Sequence, residues 1–413
     1  MRDVPIFPCR ETSRASDQTR ATTAQRFRSA VPVNHMVACV HAPSRLPWFG
    51  GRRGRALSIL QTALVSAVLS FFVLVAGQET PLSSESLACS GRYKPALHGT
   101  LLDYTDRHGL DRRMDSPALG RKQSLYVYLP PRYDAEQAYP LAIYLHAGMQ
   151  DVESFLPVAS ILDQLVACGE LPPLIVAAPD GSLCPGQFGS FFVNGPAGNY
   201  HDWVANDVYN YVRERFHVRP EPEAHVLVGA SMGGFGAFNL ALKHPERFKT
   251  VAGIMPALNL RWLGACGGYF DDFDPQHWGW REVMAAPLEP VGRFGPCGIV
   301  KLRACDVIYP AFGSGPQALE RIRRENPIEL LLQSQLHGHD LSMYIAYAGR
   351  DEFNLDAQAE SFIYVARQRQ LDLTVDYHPR GRHNQSTAFR MLPNLVRWLR
   401  QRLEPYAPLQ ATP

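Results

Sequence analysis

The stretch Val226-Leu-Val-Gly-Ala-Ser-Met-Gly-Gly-Phe-Gly236 decides the fold of this chain. It contains the pattern Gly-x-Ser-x-Gly between an apolar, strand-like run and a helix-like segment, which is the setting of a nucleophile elbow. Side chains two residues either side of the serine would collide with neighbouring backbone, which accounts for Gly229 and Gly233. The pattern predicts that Ser231 is a nucleophile at a helix N-terminus, where free N–H groups and the helix dipole stabilise negative charge.

A serine is a poor nucleophile without a base, and two later segments offer a base and its orienting acid. Residues 343–348 are strand-like and run into Asp351, and residues 373–377 are strand-like and precede His383. The order serine, acid, histidine is that of α/β-hydrolases. We therefore predict that His383 is the general base and then the general acid, and that Asp351 fixes its tautomer.

Other side chains compete for these two roles. Glu352 and Asp356 also lie near the acid position, and a carboxylate on a solvated loop is the alternative interpretation of Asp351. His378 competes with His383, but it stands at a strand end beside a proline. Chain order and placement after strand ends favour Asp351 and His383.

The rest of the chain alternates between strand-like and helix-like segments. Strands are predicted near 124–129, 141–145, 174–178, 225–229, 250–254, 343–348 and 373–377. Helices are predicted near 203–216, 234–243, 355–369 and 387–402. This alternation predicts an α/β fold with a mostly parallel, doubly wound sheet and a site at the carboxyl ends of its strands.

Residues 256–338 are much longer than an ordinary connection between strands. They hold three of the six tryptophans and many glycines and prolines. We predict that this insertion forms a lid or cap beside Ser231, with Trp262 in the wall that binds substrate. The alternative is a surface excursion that does not reach the site.

Five segments carry a resemblance to a known family. They are Pro140-Leu-Ala-Ile-Tyr-Leu-His146, Leu174-Ile-Val-Ala-Ala-Pro-Asp-Gly181, the elbow at Ser231, Gly349-Arg-Asp-Glu-Phe353 and Gly381-Arg-His383. From about residue 126 to residue 399 the chain resembles the putative-esterase (esterase D-like) family of α/β-hydrolases. That family includes formylglutathione hydrolases, enterochelin esterases, feruloyl and acetylxylan esterases, and mycolyltransferases. The resemblance implies the α/β-hydrolase fold and places the catalytic residues at Ser231, Asp351 and His383.

The resemblance also implies an oxyanion hole made of two backbone N–H groups. One would come from Met232, and the other from the loop after His146, where Gly148 and Met149 are both candidates. The family usually has His-Gly at this point, whereas this chain has His-Ala-Gly-Met. We interpret His146 as a residue that braces the loop.

Composition is that of an ordinary globular enzyme. The charged fraction is 19% and the formal net charge is +2, so no strong field attracts nucleic acid. No cofactor motif stands out, and residues 337–340 and 271–274 are interpreted as solvated loops and not as metal sites. The sequence predicts a serine hydrolase that cleaves a small-molecule, glycan or lipid ester through an acyl-enzyme. The alternatives are acyl transfer at the same triad and a non-catalytic, hydrolase-like binding protein.

The N-terminal region differs from the rest. Residues 1–55 are rich in Arg, Ser, Thr and Pro, and we expect them to lie outside the fold. Three arginines then precede an apolar run at 56–76, which is the layout of an export signal with cleavage after Gly77. An uncleaved membrane anchor is the alternative, and Met36 is an alternative start. Residues 56–77 are therefore predicted to be a signal peptide or anchor, and 90–405 the catalytic domain of a periplasmic or secreted protein.

Six cysteines follow the apolar run, which permits disulfides in an exported chain. Three of them, Cys266, Cys297 and Cys305, share one segment. A pair within that segment is the expected disulfide, and buried free thiols are the alternative.

Overall fold

The computed structural model describes residues 97–184 and 187–408. Eight strands form one central sheet. They are β1 (Thr100–Tyr104), β2 (Leu125–Leu129), β3 (Leu141–Leu145), β4 (Ile175–Pro179), β5 (His225–Ala230), β6 (Thr250–Ile254), β7 (Ser342–Ala348) and β8 (Leu373–His378). The seven strands predicted from the sequence are confirmed to within two residues at each end. The sequence analysis missed β1, which lies at the sheet edge.

The spatial order of the strands is β1-β2-β4-β3-β5-β6-β7-β8. β1 pairs antiparallel with β2, and β2 pairs antiparallel with β4. All other neighbours in the sheet are parallel. The predicted mostly parallel sheet is confirmed, and β5, which leads to Ser231, lies in its interior between β3 and β6.

Five helices cover the two faces of the sheet. They are α1 (Phe155–Ala167), α2 (Tyr209–Arg215), α3 (Met232–Lys243), α4 (Leu355–Gln368) and α5 (Gln385–Leu403). Buried side chains of α2, α3 and α4 share one apolar core, whereas those of α1 and α5 pack on the opposite face. Strand β2 illustrates that the sheet is buried on both sides. Its Val127 belongs to the core beneath α2, α3 and α4, and its neighbour Tyr126 belongs to the core beneath α1 on the other face.

Two helical segments differ from the sequence-based expectation. The predicted helix at 203–216 begins earlier, with a helical turn at Tyr200–Asp202 and a π-helical stretch at Trp203–Val208 before α2. Helix α1 was not predicted. Its third residue is Pro157, which is tolerated in a first turn but interrupts the helical pattern in sequence.

The insertion contains two hairpins and four short α-helices, with a 3-10 turn at Pro296–Gly298 inside the second hairpin. The first hairpin pairs Trp262–Gly264 with Trp278–Trp280, and the second pairs Pro290–Phe294 with Val300–Arg303. The helices follow at Ala304–Val307, Tyr309–Phe312, Pro316–Glu325 and Pro327–Gln333. These elements are short and prolines are frequent among them, so the sequence shows no apolar periodicity long enough to predict them.

Two expectations about the insertion are corrected. Trp262 is fully buried and its ring packs against Phe273 and Trp278, so it forms the core of the first hairpin and not an open substrate wall. Cys266 and Cys305 are free thiols, so neither takes part in the expected disulfide. The exposed Cys266 lies in the turn of the first hairpin, whereas Cys305 lies beyond the second, beside Asp306.

The expectations for residues 1–55 and for the signal peptide or anchor at 56–77 fall on residues that lie outside the described ranges. Within residues 97–184 and 187–408, no helix combines the length and the apolar character that crossing a bilayer requires.

Candidate active site

Ser231 occupies a strained turn between β5 and α3. Its backbone has φ 52° and ψ −114°, a region that costs a non-glycine residue roughly 1–3 kcal/mol. A Cβ at Gly229 would lie 2.1 Å from the carbonyl oxygen of Gly233, and one at Gly233 would lie 2.0 Å from that of Leu145. Both glycines are therefore required by close backbone approach, as the sequence predicts.

His383 connects Ser231 to Asp351. Its Nε2 lies 3.0 Å from Ser231 Oγ, and its Nδ1 lies 2.8 Å from Asp351 Oδ2. The three residues are far apart in the chain and meet because β5, β7 and β8 are parallel, so the loops at their carboxyl ends share one edge of the sheet. The three predicted side chains thus form one continuous hydrogen-bonded chain.

The carboxylate of Asp351 is enclosed. Its side chain is 1% exposed, and its second oxygen accepts a hydrogen bond of 2.9 Å from the N–H of Phe353. An ionised carboxylate without water needs such partners. Since Oδ1 is held by the backbone, Oδ2 is fixed toward the imidazole.

The competing residues have other partners. Glu352 accepts from the backbone N–H of His383 at 2.8 Å and from Arg382 at 2.8 Å, so it supports the histidine loop from outside. His378 lies beside Asp376 at 3.2 Å and not beside Ser231. Burial, together with the charge of Asp351, raises the pKa of Asp356 to about 7, so this carboxyl is a poor source of permanent negative charge.

Two opposing effects set the pKa of His383. Burial lowers it, but the charge and hydrogen bond of Asp351, with the charge of Glu352, outweigh burial and raise the pKa above its ordinary value. The imidazole is therefore a stronger base than a free histidine, which suits it to accept a hydroxyl proton.

The candidate oxyanion donors differ in whether their backbone N–H groups already have a hydrogen-bond acceptor or a close neighbour. Met232 is the first residue of α3, so its N–H has no acceptor within the helix. The N–H of Met149 donates to the carbonyl of Phe188 at 2.6 Å and would have to release it before binding an oxyanion. Gly148 lies against the Phe188 ring, where a Cβ would come within 2.4 Å of the ring carbons.

His146 makes the contacts of a structural brace. Its Nε2 accepts a 2.9 Å hydrogen bond from the N–H of Gly181, so Nδ1 carries the proton and donates to the carbonyl of Ala147 at 2.9 Å. The ring is 2% exposed and packs edge-on against Phe192. It thus links the loop after β3 to the loop after β4.

The insertion reaches the loops of Asp351 and His383 through its second hairpin. The N–H of Arg293 donates to the carbonyl of Glu352 at 2.8 Å, and the ring of Phe294 lies 5.1 Å from that of Phe353. The Phe353 ring in turn lies 4.9 Å from the imidazole of His383. The predicted position of the insertion beside the site is confirmed, although the residues that touch the site are not the predicted Trp262.

Comparisons with known proteins concern the family and the fold of this chain. Residues 116–390, more than half of the chain, match the family described as "Putative esterase". An S-formylglutathione hydrolase from Bos taurus is 30% identical over 162 residues, which are 35% of this chain and 55% of that protein. An endo-1,4-beta-xylanase/feruloyl esterase from Xylanibacter ruminicola is 28% identical over 142 residues, 32% of this chain and 19% of that one. The chain thus spans about half or less of the length of these relatives.

A solved structure of a ferulic acid esterase has the same fold. It superposes with a TM-score of 0.54 at 15% identity, and the match covers 74% of this chain and 99% of that one. The fold is accordingly that of α/β-hydrolases, with a long insertion beside the site. The family match over residues 116–390 and the elbow within it lead to one conclusion: this chain belongs to the putative-esterase family.

Proposed function

We propose that this protein is a serine hydrolase that cleaves carboxylic esters through an acyl-enzyme. The observation that carries the proposal is the unbroken chain of contacts from Ser231 Oγ to His383 at 3.0 Å and from His383 to Asp351 at 2.8 Å. Membership of an esterase family supports it. A non-catalytic binding protein has no need of a strained serine aligned with a base and an acid.

The first half of the reaction forms the acyl-enzyme. His383 Nε2 takes the proton of Ser231 Oγ as the oxygen attacks the ester carbonyl carbon. The resulting oxyanion faces the free N–H of Met232 and a second N–H from the loop at Gly148 and Met149. When the tetrahedral intermediate collapses, the proton passes from His383 to the departing alcohol. Asp351 remains ionised and stabilises the imidazolium.

In the second half, water attacks the acyl-enzyme with His383 as base, and Ser231 leaves with the proton. Acyl transfer differs only in that an alcohol takes the place of water. We favour hydrolysis because the relatives named above are a hydrolase and a feruloyl esterase. Those names support a small-molecule or glycan-linked ester as substrate, and no cofactor enters either step.

A panel of aryl and alkyl esters tests this proposal directly. The full chain should release acid and alcohol from at least one of them, with a burst of alcohol where deacylation is slow. Adding a competing alcohol separates the two reactions, since a transferase would yield a new ester in place of the acid. A folded protein that turns over no ester in the panel would contradict the proposal.

The charge of Glu352 is expected to affect the pH dependence. Activity requires neutral His383, so it rises with pH as the imidazole loses its proton. Glu352 contributes to the raised pKa of His383, so Glu352→Gln should move the acidic limb of kcat/KM to lower pH. Glutamine keeps an oxygen that can accept from the His383 N–H, so the plateau rate should largely persist.

The matched control for this prediction is Glu404→Gln. Glu404 is an exposed glutamate after α5 that pairs with Arg400. Its substitution makes the same change in net charge and should leave the acidic limb in place. An unmoved limb in Glu352→Gln, or an equal shift in both variants, would refute the role of Glu352.

We also propose that the protein is exported, on the basis of the three arginines that precede the apolar run at 56–76. Protein recovered from its native cell should lie outside the cytoplasm and begin near Gln78, which intact-mass measurement would establish. A membrane-bound form that retains residues 56–76 would identify an anchor. A cytoplasmic form that retains them would contradict export.

A further inference from the structure

Asn354 has an unusual backbone conformation just after the acid of the triad. It has φ 56° and ψ 36°, in the left-handed region, and it is 7% exposed. Asparagine is among the few residues other than glycine that adopt this conformation readily. It ends the turn Asp351-Glu-Phe-Asn354, which we call the acid turn, and it precedes α4. A buried polar side chain in this place requires partners.

Those partners lie in the insertion. The side-chain Nδ2 of Asn354 donates to the carbonyl of Tyr269 at 2.9 Å and to that of Asp271 at 3.0 Å. Since both partners are backbone carbonyls, which only accept, the amide must present its NH₂ group to them. Both donor hydrogens of the amide are therefore used to hold one segment of the insertion, at positions 85 and 83 residues away in sequence.

Tyr269 makes a second connection to the same turn. Its hydroxyl donates to the carbonyl of Phe353 at 3.1 Å and accepts from Gln358 Nε2 at 3.1 Å. Burial, followed by the charge of Asp351, raises the pKa of Tyr269, so the hydroxyl keeps its proton and remains a donor. Tyr269 thus binds the insertion both to the acid turn and to α4.

The acid turn is bound to the insertion at each residue after Asp351. Glu352 accepts from Arg293 N–H at 2.8 Å, Phe353 accepts from Tyr269, and Asn354 donates to Tyr269 and Asp271. Within the turn, the carbonyl of Asp351 accepts from the N–H of Asn354 at 3.1 Å. Contacts to the insertion therefore hold the backbone that follows Asp351, and with it the position of Asp351.

We propose that Asn354 and Tyr269 are positioning residues through which the insertion aligns the triad. By holding the turn, they keep the Asp351 carboxylate in place against His383 Nδ1. The insertion is then a fixed part of the catalytic apparatus and not a lid that opens independently. This inference rests on the proposed function, because it assigns the alignment to the same triad. A misplacement of about 1 Å at such a site can cost on the order of 100-fold in rate.

The substitution Asn354→Gly separates alignment from backbone strain. Glycine adopts the left-handed conformation without a steric cost, so the backbone is kept while the two side-chain hydrogen bonds and the packing of the amide are lost. The matched control is Gln370→Gly, since Gln370 is exposed, has φ 55° and follows the other end of α4. Tyr269→Phe removes only the hydroxyl, and with it the separate hydrogen bonds to Phe353 and Gln358, so it provides a second variant of the connection between the insertion and this turn.

Two measurements on the full chain test the proposal. In Asn354→Gly we expect kcat to fall by about 10- to 100-fold with KM changed by less than about 3-fold, because alignment acts on the chemical step. Tyr269→Phe should change kcat in the same direction, and Gln370→Gly should match the parent. The low-field proton resonance of His383 Nδ1–H, bound to Asp351, should move upfield or disappear in Asn354→Gly. A change in overall stability alone would not move this resonance.

An unchanged resonance with kcat within about twofold of the parent would overturn the proposal. A rise in KM at constant kcat would also overturn it, because that pattern describes a substrate-binding wall. If Asn354→Gly does not fold, Tyr269→Phe decides by the same two criteria. If the parent cleaves no ester, the proposed function fails, and the resonance still decides whether the insertion aligns the triad.

Discussion

Replacing Ser231 by alanine is expected to lower kcat on a cleaved ester by at least about 10³-fold, and so is replacing His383 by alanine. The first change removes the atom that forms the acyl-enzyme, and the second removes the base 3.0 Å from it. Ser231 lies in the turn between β5 and α3 and His383 in the loop between β8 and α5, so neither substitution removes a core side chain. The fold should therefore persist, which circular dichroism and the melting temperature would verify. The double variant should be little worse than either single one, because the residues act as a unit.

Ser160→Ala is the matched control for the serine substitution. Ser160 lies in α1, and its hydroxyl donates to the carbonyl of Leu156. The substitution therefore removes a comparable hydroxyl from a helix on the opposite face of the sheet. Its activity should equal that of the parent. Near-normal turnover in Ser231→Ala or in His383→Ala would show that the assignment of the triad is wrong.

Asp351→Asn is expected to lower kcat by about 10³- to 10⁴-fold. Oδ1 of Asp351 accepts from the N–H of Phe353, so in the variant the amide oxygen should take this place and the amide NH₂ should face His383 Nδ1. A donor there stabilises the tautomer with the proton on Nε2, which cannot accept the proton of Ser231. Steady-state kinetics on the same ester measures the loss.

Glu352→Gln serves as the comparison for this prediction, because it neutralises the adjacent carboxylate. Its effect on the plateau rate should be mild, since Glu352 contacts the backbone N–H and not the ring of His383. The reverse outcome, with a mild Asp351→Asn and a severe Glu352→Gln, would identify Glu352 as the acid of the triad.

The sequence was sufficient to predict the elbow and the positions of the three side chains. Local rules determine both: two glycines permit a turn that any Cβ would prevent, and strand ends in a parallel sheet meet at one edge. Chain order then selected Asp351 and His383. Chain order alone could not exclude Glu352, and the direction of each carboxylate became clear only from the hydrogen bonds of Phe353 and His383.

The insertion could not be predicted to the same depth. Its elements are short, and whether an aromatic residue packs inside or lines a pocket depends on tertiary contacts that have no sequence period. Trp262 illustrates this, since it was predicted at the substrate and lies in a core with Phe273 and Trp278. Asn354 did carry a local signal, an asparagine just before a helix, but its partners lie in the distant insertion.

Labelling with a fluorophosphonate tests the central claim most directly, because such a probe reacts with a serine only where a base and an oxyanion site activate it. The account predicts one adduct, located by peptide mapping at Ser231, absent in Ser231→Ala and formed much more slowly in His383→Ala. Labelling of Ser160→Ala should equal that of the parent. A folded protein that remains unlabelled, or one whose adduct lies on another residue, would contradict the account.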